Sequence, residues 1–76
     1  TVAIKLSPTL ADAYYNRANA YDDLKRHERA IEDYDEALRL NPKLSAAYNN
    51  RGFAYYKLGK YERAIKDYDE ALRLDA

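Results

Sequence analysis

Apolar residues recur along this chain at steps of three and four, with polar residues between them. From 44 to 58, Ala47, Tyr48, Ala54, Tyr55 and Leu58 share one side of a helix with Arg51. From 28 to 40, Ala30, Ile31, Tyr34, Ala37 and Leu38 do the same, and Ala64, Ile65, Tyr68, Ala71 and Leu72 repeat that face from 62 to 74. With a matching stretch at 10–24, the pattern predicts four amphipathic helices at 10–24, 28–40, 44–58 and 62–74. Gly59 suits a left-handed cap after the third, whereas the first has Lys25 there, a poorer residue for positive φ. Pro8 and Pro42 mark boundaries, because proline cannot continue a helix interior. On the polar faces, Arg29–Asp33, Asp35–Arg39 and Lys66–Glu70 are spaced as i,i+4 pairs. Such pairs stabilise a helix by only ~0.2–0.5 kcal/mol each.

The pattern is written twice. Residues 9–42 and 43–76 are related by an offset of 34, and 20 of the 34 positions are identical. A period of that size marks a repeat array in which each unit is one supersecondary element. The opening TVAIKLSP aligns by the same offset with DEALRLNP, residues 35–42. Three segments are therefore expected: 1–8 as the end of a preceding repeat's second helix, 9–42 as one repeat and 43–76 as another. About six helical residues are too few to be stable alone, so the first segment needs a packing partner.

Composition narrows the class to all-α. Ala, Leu, Glu, Lys and Arg favour helix, while glycine and proline number only two each. Nine tyrosines and one phenylalanine supply the bulk for packing. There is no cysteine and a single histidine, His27, which excludes disulfides and zinc sites built from Cys and His. No cofactor or metal is expected. A formal net charge of zero argues against nucleic acid or a membrane surface as partner. No leader segment is visible, and the expected compartment is cytoplasmic. The only serines, Ser7 and Ser45, lie at repeat boundaries, and no motif supports nucleophilic, metal or phosphate chemistry. His27 is expected to be a partly buried packing residue, and the chain is expected not to be an enzyme.

The repeat resembles the tetratricopeptide repeat. Tyr14, Ala18, Tyr21, Ala30, Tyr34, Ala37, Leu38 and Pro42 match that family's pattern, as do Tyr48, Gly52, Tyr55, Ala64, Tyr68, Ala71 and Leu72 in the second copy. The resemblance implies antiparallel helix hairpins stacked into a right-handed α-solenoid. It also implies a concave groove, lined by the first helix of each repeat, that receives an extended peptide or helix. On this chain the groove would be formed by Tyr15, Asn19, Asp22, Asp23, Asn49, Asn50, Phe53, Tyr56 and Lys57. Some members clamp the C-terminal carboxylates of heat-shock chaperones. Asn19 and Asn50 match the clamp's asparagines, but Tyr15 stands where its first lysine belongs, so a working clamp is not expected.

Two further expectations come from the residues themselves. Arg17 and Arg51 each have an aspartate sixteen residues on, Asp33 and Asp67, which predicts a bidentate bridge between the two helices of each repeat. The charge is also uneven: residues 9–42 carry 5 basic and 8 acidic groups (−3), and 43–76 carry 7 and 5 (+2). Identical molecules could then stack head to tail with charges matched. An uncapped array leaves an apolar end, expected here around Ala64, Tyr68, Ala71 and Leu72. A structural role, stacking on further repeats or on other copies of itself, is thus the alternative to peptide binding.

Overall fold

The computed structural model describes residues 9–75, so the reading of 1–8 lies outside the described residues. Four helices follow one another: α1 (Leu10–Asp23), α2 (His27–Leu40), α3 (Ser45–Lys57) and α4 (Tyr61–Asp75). α1 starts where Thr9 can cap it, its hydroxyl oxygen accepting the Asp12 N–H at 3.1 Å. α1 and α3 end in the same way. Arg26 N–H bonds the Tyr21 carbonyl and Lys25 N–H the Asp22 carbonyl, both at 2.9 Å. At the second site Lys60 N–H reaches Tyr55 at 2.9 Å and Gly59 N–H reaches Tyr56 at 3.0 Å. This double closure needs a left-handed residue, which is Lys25 at φ 64° and Gly59 at φ 79°. The lysine carries a Cβ penalty that the glycine avoids. Lys25→Gly is therefore expected to stabilise the chain by about 1 kcal/mol, read as a thermal midpoint higher by roughly 4–8 °C. A lowered midpoint would show that the Lys25 side chain contributes more than its backbone costs.

Each helix packs on the next, and α1 also touches α3. α1 and α3 thus line one face, with α2 and α4 behind them. The result is an open strip, 42 × 30 × 16 Å, in which each repeat leans only on its neighbour. The core is built at the helix crossings from small residues and tyrosine. Ala18, Ala30, Tyr34, Leu38 and Ala47 are buried together, flanked by Tyr15, Tyr21, Leu44 and Tyr48. Full burial of a ring such as Tyr34 contributes on the order of 2 kcal/mol. In the second repeat Gly52 takes the place of Ala18. A Cβ there would lie 3.1 Å from the Tyr68 ring and 3.2 Å from the Ala64 carbonyl oxygen.

One residue departs from the expected open end. Ala64 is buried at the α3–α4 crossing rather than on the outer flank of α4, and Ile65 beside it is exposed. A helical period assigns residues to a face but cannot say whether that face meets α3 or solvent.

Candidate functional site

The arginine bridges join α1 to α2 and α3 to α4 with matching geometry. Arg17 Nε donates to Asp33 Oδ2 at 2.7 Å and Nη2 to Oδ1 at 2.8 Å. Arg51 makes the same two bonds to Asp67 at 2.8 Å each. Both aspartates are buried, and those hydrogen bonds are the main reason the two guanidinium pKa values lie above the ordinary one. Each guanidinium also lies between two tyrosines. Arg17 is 5.5 Å from the Tyr14 ring centre and 6.0 Å from Tyr21, and Arg51 is 5.4 Å from Tyr48 and 5.9 Å from Tyr55. Arg29 and Arg63 approach Tyr21 and Tyr55 in turn, at 5.4 Å each. Sequence reasoning missed this Tyr–Arg–Tyr–Arg stack. Its signal was the spacing of Tyr14, Arg17 and Tyr21 on one helical face.

Arg51 has a third role with no counterpart at Arg17 among the described residues. Its Nη1 donates to Asp35 of α2 at 2.7 Å, so one side chain joins the two repeats. Arg51 is accordingly 20% exposed at its side chain and Arg17 60%. The i,i+4 pairs read from the sequence give way to these contacts. Asp33 goes to Arg17 and Asp35 to Arg51, while Arg39 pairs with Glu36 and Arg73 with Glu70 at i,i+3.

On the α1–α3 face, the asparagines expected to meet a peptide bond to one another. Asn50 Nδ2 donates to Asn19 Oδ1 at 2.9 Å and to the Tyr15 hydroxyl at 3.1 Å. The Tyr34 hydroxyl donates to the same Asn19 oxygen at 2.5 Å. Burial, with the Asp22 charge adding to it, pushes the Tyr34 phenol well above its ordinary pKa. Asn50 has therefore spent both amide hydrogens on the junction between repeats, whereas Asn19 keeps its own amide group for a further partner. Asp22 is also engaged, its Oδ1 lying 2.6 Å from His27 Nδ1. His27 is thus half-buried and hydrogen-bonded rather than only packed.

What the face presents outward is aromatic and charged. Phe53 is 43% exposed, with Lys57 Nζ 5.2 Å from its ring centre. Tyr56 is exposed and tilts against Tyr61, ring centres 5.4 Å apart. Phe53 and Lys57 border a recess of about 370 Å³ whose other walls are Asp22, Asp23, Lys25 and His27. Asn49 is exposed nearer the start of α3 and donates to Asn50 at 3.4 Å. Ser45 begins α3, at the opposite end from Lys57, and its hydroxyl donates to Asp75 at 3.4 Å. Among the described residues no group of three His, Asp or Glu side chains is placed to hold a metal ion. No helix among them is long and apolar enough to cross a membrane.

Residues 11–44 and 45–76 each match the family model described as Tetratricopeptide repeat. The chain belongs to the tetratricopeptide repeat family. Solved structures agree. A crystal structure of MamA is 35% identical with a TM-score of 0.83 over 86% of this chain. A second MamA crystal structure is 35% identical with a TM-score of 0.80 over the same share. This chain spans 38% and 36% of the length of those two chains. No curated protein matches it. The tetratricopeptide architecture is that of a protein–protein interaction module, and it accounts for the small residues at Ala18, Gly52, Ala30 and Ala64 where helices cross.

Proposed function

We propose that this chain is a non-catalytic interaction module whose α1–α3 face receives an extended peptide or a helix from a protein partner. The observation that carries this reading is Phe53, a large ring left on the face rather than in the core, beside the recess bordered by Lys57 and Asp22. An exposed aromatic beside charged and amide groups is the composition of a binding hot spot. Asn19, Asn49, Asp23, Tyr15 and Tyr56 would supply the surrounding polar and aromatic contacts. The Asn19–Asn50–Tyr34 bonds keep that face in one shape.

The test uses peptides selected from a displayed random library by the immobilised chain. Phe53→Ala is expected to weaken their binding about tenfold or more with helix content unchanged by circular dichroism. Peptides that bind the variant as well as the parent would place the site elsewhere, and a variant that unfolds would assign Phe53 to the core.

A second reading is favoured by a different observation. Leu38 is 7% exposed, whereas its repeat equivalent Leu72 is 69% exposed. In this reading the segment is scaffold, and the outer flank of α4 around Tyr68, Ala71 and Leu72 is covered by another array element or another copy of the chain.

A further inference from the structure

Among the described residues there is one complete junction between repeats and, on α1 and α4, the two complementary halves of such a junction. In the complete one, Leu44 just before α3 and Tyr48 within it pack on the cluster containing Tyr34 and Leu38 of α2, and Arg51 bonds Asp35 at 2.7 Å. Shifted by the 34-residue offset, the α2 half becomes Tyr68, Leu72 and Asp69 on α4. Shifted the other way, the α3 half becomes Leu10, Tyr14 and Arg17 on α1.

Exposure shows both halves to be uncovered among the described residues. Leu10 is 69% exposed, as is Leu72, while Ala13 is exposed where its equivalent Ala47 is fully buried. Among the described residues, exposed Asp69 pairs with no cation and Arg17 Nη1 meets no acceptor. Between α3 and α4 a recess of about 480 Å³ is bordered by Ser45, Ala46, Asn49, Tyr68, Ala71 and Leu72.

We infer that α1 of a second copy docks on α4 of the first and repeats the α2–α3 junction between molecules. This inference rests on the scaffold reading and gives that reading its occupant and register. Leu10 and Tyr14 enter the recess against Tyr68 and Leu72, and the neighbour's 69–76 takes the register on α1 that the 34-residue offset assigns to 1–8, which must give way on docking. Arg17 keeps Asp33 of its own chain and takes Asp69 of the neighbour, as Arg51 takes Asp67 and Asp35. The negative first repeat meets the positive second, so the charge sum favours this pairing over head-to-head contact. The contact joins unlike faces, does not close on itself, and builds linear chains of molecules.

Sedimentation of the 76-residue chain over a dilution series up to about 1 mM is expected to show mass rising with concentration. Leu10→Asp and Leu72→Asp should each be monomeric, with helix content retained because both side chains are exposed. Mixed in equal amounts they should form one-to-one dimers and nothing larger, since each supplies the half the other lacks. Asp69→Arg should weaken association of the parent chain about fivefold or more, because Arg17 then faces a like charge.

A parent chain that stays monomeric throughout would overturn this inference while leaving standing the scaffold reading in which another array element covers α4. Leu10→Asp associating like the parent would overturn head-to-tail docking while leaving self-association through α4 standing. Asp69→Arg associating like the parent would overturn the Arg17 register alone. Where an aspartate variant loses helix content, Leu10→Ser and Leu72→Ser give the same comparison.

Discussion

Arg51→Leu is expected to lower the stability of this chain by about 2–3 kcal/mol, and Arg17→Leu by clearly less. The difference follows from what each substitution leaves behind. Without Arg51, buried Asp67 loses both of its hydrogen bonds, at 2.8 Å each, and Asp35 loses the bond that joins α2 to α3. Removing one partner of a buried pair costs about 3–5 kcal/mol, because the remaining charge is unpaired. The value here is smaller because the Arg51 side chain retains 20% exposure and water can reach part of the site. The Arg17 side chain is 60% exposed and makes no contact equivalent to Asp35 among the described residues, so its loss there leaves one carboxylate short of a partner rather than two.

Thermal unfolding should show this as a midpoint lower by roughly 10–20 °C for Arg51→Leu. Adding Asp67→Leu to Arg51→Leu should recover part of the loss, since the orphaned charge goes with it. Equal midpoints for the two single variants would mean that the bond to Asp35 does not hold the repeats together. Failure of the double variant to recover would mean that the loss came from the arginine stem and the tyrosines around it rather than from the buried charge.

Arg51 also shows where sequence reasoning stopped. Its bond to Asp67 was visible because both members recur after 34 residues. Asp35 lies sixteen residues before Arg51 as Asp67 lies sixteen after, and Asp35 itself recurs as Asp69. The same spacing read backwards would have identified the junction. It goes unnoticed because the repeat is read as a closed unit, although its arginine serves two units.

The helices themselves were plain from periodicity. The expected 28–40 and 62–74 stand at His27–Leu40 and Tyr61–Asp75, because a 3.6-residue period with marked ends leaves little latitude. The local charge pairs were misread for a physical reason. An i,i+4 pair is weak, and a bidentate arginine on a neighbouring helix outcompetes it for the same carboxylate, as Arg17 does for Asp33. The groove was less readable still. The resemblance placed Asn19 and Asn50 in the expected groove, yet nothing in one sequence says that they bond to each other.

Gly52→Leu is expected to separate α3 from α4, at a cost of about 3 kcal/mol or more. The helix would gain from the change in isolation, since leucine is favoured over glycine in a helix interior by roughly 0.8 kcal/mol. The loss must therefore come from packing. Even a single Cβ at this position meets the Tyr68 ring at 3.1 Å and the Ala64 carbonyl oxygen and Asp67 Cβ at 3.2 Å. The backbone oxygen and the Cβ cannot swing aside as a side-chain tip can. Gly52→Ala should be close to neutral, because the first repeat buries the Ala18 methyl completely at the equivalent crossing and the entropy gained offsets a small shift. Leucine adds three more carbons with nowhere to go. Moving α4 outward to fit them would also pull Asp67 from Arg51 and open the recess beside Tyr68 and Leu72. Hydrogen exchange should then show α4 amides losing protection while α1 and α2 keep theirs, because each repeat leans only on its neighbour. A Gly52→Leu midpoint within about 3 °C of the parent would mean that the α3–α4 spacing is set elsewhere along the crossing, and that the missing side chain at Gly52 is not what lets these helices meet.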